Sequence, residues 1–320
     1  MLQAEIKDFI NTYTAFLILG HKEPDGDCVS SQLCLAAFLH RIGKTATCYS
    51  DGPFDRPEIA EYEPLFHTSL SKQNVTKKTA AIVVDCSTPD RVGSFYNEIK
   101  HLPVLIIDHH KVRREFSSLT FIDSRAPSTT WLINRLITGL GYTVDKKEAL
   151  LLLFGLCTDT GFFRHLDEAS YDVFPLVSTL TRTGANLKQV YKMIYGGKSF
   201  LQRRLLARLL LRAESHLDDK LIITCQFPED TGSTSELLHS SDELYNLLQT
   251  VKNNEIVVLI RRESATLCSV GLRSNNEYDV AQFAARYGGG GHKLAAGFTM
   301  QGSITEIRDL VLAELKQLIK

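Results

Sequence analysis

The sequence predicts an α/β protein: a mostly parallel, doubly wound N-terminal sheet and a smaller mixed α/β C-terminal unit, joined by a helical connector. Three observations point there. Apolar runs at Thr14–Leu19, Ala80–Val84 and Pro103–Ile107 stop at polar residues and alternate with helical stretches, as strands buried on both faces do. After Lys220 the texture turns to strands, with EIVVLIRRE and TLCSVGLRS separated by a short turn, a hairpin signal. Between these halves, Leu187 through Glu214 is helical apart from Gly196 and Gly197. The expected divisions are 1–186, 187–216 and 217–320.

The elements follow in order. Residues 1–13 have Ile6, Phe9 and Ile10 on one side, an amphipathic helix that would cover a sheet edge. Cys28 to Ile42 has helical spacing and stops at Gly43, a natural C′ residue. The proline-rich stretch from Ser50 to Leu65 reads as loop with a short helix. Ser128 and Thr129 are candidate N-caps for a helix closing at Gly139 or Gly141, and Lys146 to Cys157 reads as a buried helix. Tyr171–Leu180, Asp242–Gln249, Asp279–Tyr287 and Thr305–Lys320 are further helices.

Composition narrows the function. The 320 residues are 44% hydrophobic and 23% charged, with a formal net charge of -1. A protein that grips long nucleic acid by its backbone needs a basic excess, so a small anionic substrate fits better. The seven cysteines include no C-x-x-C pair, the N-terminus shows no charged head before a long apolar run, and Ala149–Cys157 is too short to span a bilayer. A cytoplasmic protein without membrane contact is expected.

The chemistry gathers around HKEPDGD. His21, Asp25, Asp27, Asp85, His109 and Asp159 are four carboxylates and two imidazoles at the ends of successive predicted elements, and in a doubly wound sheet these ends meet at one edge. So many anions in one crevice would raise one another's pKa unless cations share it. Oxygen ligands with a minority of imidazole point to Mn²⁺ first and Mg²⁺ as the alternative. Two such ions, about 3.5–4 Å apart, suit hydrolysis of a phosphoester.

Four motifs, HKEPDGD, VDCS ending the run at Asp85, DHH at Asp108–His110 and TDTGFFR, resemble those of the DHH phosphoesterase superfamily, and GGGGHKLAAG resembles its associated C-terminal substrate domain. The length and wording are most similar to the oligoribonuclease and pAp-phosphatase type. The resemblance implies two ions, one on His21 and Asp25, the other on Asp27, His109 and Asp159, with Asp85 as bridge and catalytic residue. It implies that Asp108 orients an imidazole and that His110, also catalytic, faces the scissile phosphate. The expected partners are short RNA or DNA oligonucleotides or dinucleotides, not long nucleic acid, and a homodimer is compatible with this. Lys111 to Arg114 and Pro127 depart from the commoner wording and bear on substrate preference.

Alternatives of the same chemistry are a cyclic di-AMP phosphodiesterase and a DHH-type pyrophosphatase or exopolyphosphatase, the latter disfavoured by the glycine run. A RecJ-type exonuclease would be longer, and a non-enzymatic nucleotide sensor would have a degenerate metal set. Gly288, Gly289, Gly290 and Gly291 could turn successive N–H groups toward one phosphate, with His292 adding a hydrogen bond or charge. Arg262 and Arg273, on the two hairpin strands, suit phosphate or base contact, and the resemblance favours Arg273 with Ser274. Cys28, Cys86 and Cys157 stand beside or near expected ligands; as apolar fillers they do nothing, but oxidation of Cys28 or Cys86 would disturb the neighbouring carboxylate. A two-domain cleft over the ions would admit only a few nucleotides.

Overall fold

The computed structural model describes residues 3–70, 75–110, 116–117, 119–166, 168–231, 241–275 and 278–319, without the side chains of 169 and 231. They form two compact units, Met1–Gly197 and Lys198–Lys320. The stretch expected as a connector divides at this boundary.

In the first unit, α1 (Ala4–Thr12) buries Ile6, Phe9 and Ile10. Five parallel strands follow: β1 (Ala15–Leu19), β2 (Thr45–Tyr49), β3 (Thr79–Val84), β4 (Val104–Asp108) and β5 (Leu119–Ile122), in the order β2-β1-β3-β4-β5. Alternate side chains feed two cores. Phe16, Ile18, Ile82, Val84, Leu105 and Ile107 pack under α2 (Gly26–Arg41), α5 (Thr129–Gly139) and α6 (Lys146–Asp159). Leu17, Leu19, Val83 and Ile106 pack with Val92, Phe95 and Ile99, from α3 (Pro89–Val92), α4 (Tyr96–Ile99) and the turn between them. Both faces are therefore buried, which explains the unbroken apolar runs.

The chain leaves β1 toward β2 and returns across it to β3, so the strand order reverses between β1 and β3. Open α/β sheets bind ligands at the carboxyl ends of strands flanking such a reversal. His21 follows β1 and Asp85 follows β3, so the fold places both at that point. Helix α6 begins at a capping box of Asp145 and Glu148. Glu148 is fully buried and holds Arg41 through Nε–Oε1 (2.8 Å) and Nη2–Oε2 (2.9 Å). Helix α7 (Val173–Thr183) stops at left-handed Gly184, and α8 (Leu187–Tyr195) starts at the Asn186 cap. The aromatic face of α8 lies on the TDTGFFR segment, with Tyr191 and Phe162 ring centres 5.3 Å apart.

The second unit is a six-stranded mixed sheet, β10-β11-β9-β8-β7-β6, comprising β6 (Glu214–His216), β7 (Leu221–Gln226), β8 (Ile256–Arg262), β9 (Leu267–Ser274), β10 (Gly290–His292) and β11 (Ala295–Gln301). The hairpin of β8 and β9 is present, and β7–β8 is the parallel pair. Helices α9 (Phe200–Leu211) and α11 (Ser241–Leu248) cover one face. Helices α12 (Val280–Ala285) and α13 (Ile304–Leu318) cover the other, and a short α10 (Pro228–Thr231) follows β7. Strand β10 and the start of β11 escape the sequence reading because GGGGHKLAAG carries no β-branched or aromatic residue, which leaves only Phe298 and Thr299 as a strand signal. Among the described residues, no helix is long and apolar enough to cross a membrane.

Candidate active site

Asp25 caps α2: its Oδ1 accepts from the backbone N–H groups of Asp27 (3.1 Å) and Cys28 (3.0 Å), leaving Oδ2 toward His21 Nε2 at 3.8 Å. His21 Nδ1 lies 2.8 Å from the Lys22 carbonyl, so its proton belongs there and the Nε2 lone pair is left open. His109 uses the same device, with Nδ1 3.2 Å from the Ala126 carbonyl.

Asp85 stands between the two imidazoles. Its Oδ2 is 3.4 Å from His21 Nε2 and its Oδ1 3.6 Å from His109 Nε2. His109 Nε2 is also 3.5 Å from Asp159 Oδ2, at the last residue of α6. Asp85 holds this place with φ +58°, a left-handed conformation that costs a non-glycine residue about 1–3 kcal/mol and recurs at functional sites.

Asp27 is fastened to the start of α5, which the sequence reading credited only with local caps. Its Oδ2 accepts from the Thr129 N–H (2.6 Å), and its Oδ1 from the Thr130 N–H (3.0 Å) and Oγ1 (2.7 Å). Thr129 Oγ1 donates to Asp85 Oδ1 at 2.9 Å. Ser128 is the local cap, accepting from the Trp131 N–H. The signal available for the threonines was the orphaned first-turn N–H groups of a helix, which attract carboxylates. A Cβ on Gly155 of α6 would stand 2.4 Å from Thr130 Cγ2 and 2.9 Å from Asp27 Oδ1, so this crossing requires glycine.

The electrostatics report the crowding. Burial, then the charges of Asp85, Asp159 and Asp25, push the Asp27 carboxyl well above its usual range. Asp159 is pushed up to about 6, first by burial and then by Asp85 and Asp25, against the pull of His109. Asp25 goes the other way: burial opposes its charge, but His21 holds it below the usual range.

His21–Cys28–Asp85, Asp85–His109–His110 and Asp27–His109–Asp159 each bring one ligand atom per residue within 4.8 Å of the others. The His21 Nε2 is buried without a hydrogen-bond partner. Converging carboxylates, imidazoles turned ligand-atom inward and an unpartnered buried nitrogen fit divalent cations. Asp108 is fully buried and binds His110 through Oδ1–Nδ1 at 2.7 Å. Burial opposes its charge, yet bonds from His110 and Ser87 hold its pKa low; the Asp108 bond in turn raises that of His110.

Three expectations change in the second unit. Arg262 pairs with Cys268 on the side of the sheet covered by α12 and α13 and folds onto the Ser264 and Ala265 carbonyls; strand alternation places Arg261, which pairs with Ser269, on the face of Arg273. Ser274 is buried on the face opposite Arg273, so its hydroxyl is turned from that surface. The Gly288 and Gly289 N–H groups bind the Ala285 and Ala284 carbonyls as the end of α12, while Gly290 and Gly291 enter β10, so the four do not form one anion nest. Arg273 stacks on Tyr245 (4.5 Å) beside Asp242, and His292 is exposed. The 111–114 loop lies outside the described residues. Cys28, Cys86 and Cys157 are buried, and burial raises all three thiol pKa values, Cys86 to about 11 and Cys157 to about 12. They are not poised for oxidation, which proceeds through accessible thiolates.

The family description "DHH family, N-terminal domain" matches residues 15–156 and "DHHA1 domain" matches 238–320. The chain belongs to the DHH family and is a phosphoesterase of it. It is 29% identical over 289 residues to the bifunctional oligoribonuclease and PAP phosphatase NrnA of Thermus thermophilus, covering 89% of this chain and 84% of that one. It is 26% identical over 346 residues to the cyclic-di-AMP phosphodiesterase PdeA of Listeria monocytogenes, spanning 100% of this chain but 49% of that protein. The fold matches that of an exopolyphosphatase-related protein from Bacteroides fragilis, with a TM-score of 0.82 at 22% identity over 99% of this chain and 96% of that one.

Proposed function

We propose that the protein hydrolyses short oligonucleotides and dinucleotides, such as nanoRNA and pApA, together with pAp, to nucleoside 5′-monophosphates in the cytoplasm. The observation that carries this is Asp85 offering one oxygen to each of two imidazoles within a ring of carboxylates. The NrnA relative, an oligoribonuclease and PAP phosphatase by name, supports the substrate class.

His21 and Asp25 would hold one ion, Asp27, His109 and Asp159 the other, and Asp85 both, with Mn²⁺ preferred and Mg²⁺ the alternative. When bound, such a pair supplies an activated water and neutralises charge on the phosphoryl group. Asp108 fixes the His110 ring through Nδ1, so the other nitrogen can donate to a phosphate oxygen. In the second unit, Arg273, with Arg261 in place of Arg262, would bind phosphate or base, as would His292 beside the glycine run.

The test is incubation with Mn²⁺ and, separately, pApA, a short oligoribonucleotide, pAp, cyclic di-AMP, pyrophosphate and polyphosphate, with Asp85→Ala as control. Release of AMP from the linear compounds and from pAp, absent in the variant, is expected. Cleavage of cyclic di-AMP alone would move the assignment to that substrate, and hydrolysis confined to pyrophosphate or polyphosphate would overturn it.

A further inference from the structure

Cys28 has no part in the reading above, yet its sulfur sits inside the site. Its Sγ, a nitrogen of His21 and an oxygen of Asp85 all lie within 4.8 Å of one another, and among the described residues no other cysteine joins such a group. His21 is 4% exposed, and its Nε2 has no hydrogen-bond partner although Asp85 Oδ2 is 3.4 Å away. The thiol makes one long bond, 3.7 Å to Gln32 Oε1. That glutamine is itself pinned, its Nε2 donating to the Ile18 and Tyr49 carbonyls at 3.0 Å each. Room for the sulfur comes from Gly20, where a Cβ would stand 2.2 Å from Sγ. By contrast, Cys86 Sγ is turned to the Thr88 carbonyl at 3.4 Å.

We propose that Cys28 is a conditional metal ligand: with His21 and Asp85 it forms a sulfur, nitrogen and oxygen set that captures a thiophilic divalent ion, Zn²⁺, Cd²⁺ or Co²⁺, in competition with the oxygen-preferring ions of the phosphoesterase centre. This rests on the reading of His21 and Asp85 as ligands. Thiolate selects softer ions over Mn²⁺ and Mg²⁺, and imidazole suits Zn²⁺ as well as Mn²⁺. On binding, the S–H bond is exchanged for a sulfur–metal bond and the proton leaves to solvent. Zinc–sulfur and zinc–nitrogen bonds of about 2.3 and 2.0 Å put the two donors roughly 3.5 Å apart at a tetrahedral angle, so closure from 4.8 Å or less requires a shift of at most about an ångström. Asp25 Oδ2, 3.8 Å from His21 Nε2, can fill a fourth position. An ion held in this way draws Asp85 toward His21 and away from His109, so a thiophilic ion inhibits.

The experiment titrates the chelated full-length protein with Co²⁺ and follows the near-ultraviolet sulfur-to-cobalt charge-transfer band, in the wild type, Cys28→Ser and Cys28→Ala. The band is expected in the wild type and lost in both variants, with Cd²⁺ affinity down about tenfold and Mn²⁺ affinity unchanged. No band in the wild type, or an equal band in the variants, overturns the proposal while leaving the dinuclear reading standing. Failure of the wild type to bind Mn²⁺ as well would sink both.

Discussion

Thr129→Val isolates one hydroxyl at the heart of the site. Thr129 is fully buried; its N–H serves Asp27 at 2.6 Å and its Oγ1 serves Asp85 at 2.9 Å. Valine keeps the volume and the N–H and deletes only the bond to Asp85. A hydrogen bond to a buried carboxylate contributes about 1.5–3 kcal/mol, so the metal-free protein is expected to lose roughly that much stability. The Asp85 carboxylate, set at a left-handed backbone position, also loses the donor that fixes its rotation. Groups that orient metal ligands are typically worth about 10–100-fold in affinity, and that is the expected loss for Mn²⁺. Calorimetric titration of Mn²⁺ into chelated protein measures it, and Thr129→Ser, which restores the hydroxyl, should recover most of the affinity. A folded Thr129→Val protein that binds Mn²⁺ as tightly as the wild type would refute the reasoning.

Three further outcomes are expected. The Asp159 carboxyl, raised from 3.8 to about 6, contributes stability below the unfolded value and loses it as pH rises through the folded value, so chelated protein should weaken between about pH 4 and 6 by on the order of 3 kcal/mol. Urea melts read from Trp131, the single tryptophan, would show no such slope if the crowding is illusory. Arg41→Ala strands the buried Glu148 carboxylate and should cost about 3–5 kcal/mol in the same melts; a loss under about 1 kcal/mol would mean that solvent reaches the acid. Gly289→Ala places a Cβ 2.2 Å from the Gly297 carbonyl oxygen and should lower the second unit's melting transition by calorimetry, about 1–3 kcal/mol of overpacking, whereas Gly290→Ala meets nothing within 4 Å. Equal transitions for the two would contradict the packing of β10 on β11.

The first unit is legible in the sequence because its central strands β1, β3 and β4 are buried on both faces and each leads into a chemically conspicuous residue. Ala80–Val84 followed by Asp85 shows a strand and a candidate ligand together. The threonines of α5 are quieter: Ser128 and Thr129 read as caps, and nothing in the chain order says that Thr129 and its neighbour Thr130 serve an aspartate about a hundred residues earlier. The glycine run misleads for a different reason. Its composition permits an anion nest, but Gly288 and Gly289 spend their N–H groups closing α12, a competition that only tertiary placement decides. Arginine choice at 261 and 262 is a matter of strand phase, which two adjacent identical residues cannot reveal.

The start of α5 also sets what is expected of the protein when ions are withdrawn. Segment 126–130 grips His109, Asp27 and Asp85, residues delivered by the end of β4, the first turn of α2 and the end of β3, with backbone and hydroxyl groups that belong to the polypeptide alone. The socket is thus assembled before its occupant arrives, unlike small zinc modules that collapse without theirs. Chelation should silence the enzyme while leaving its architecture intact, and reloading should be limited by how fast cations reach the crevice rather than by refolding.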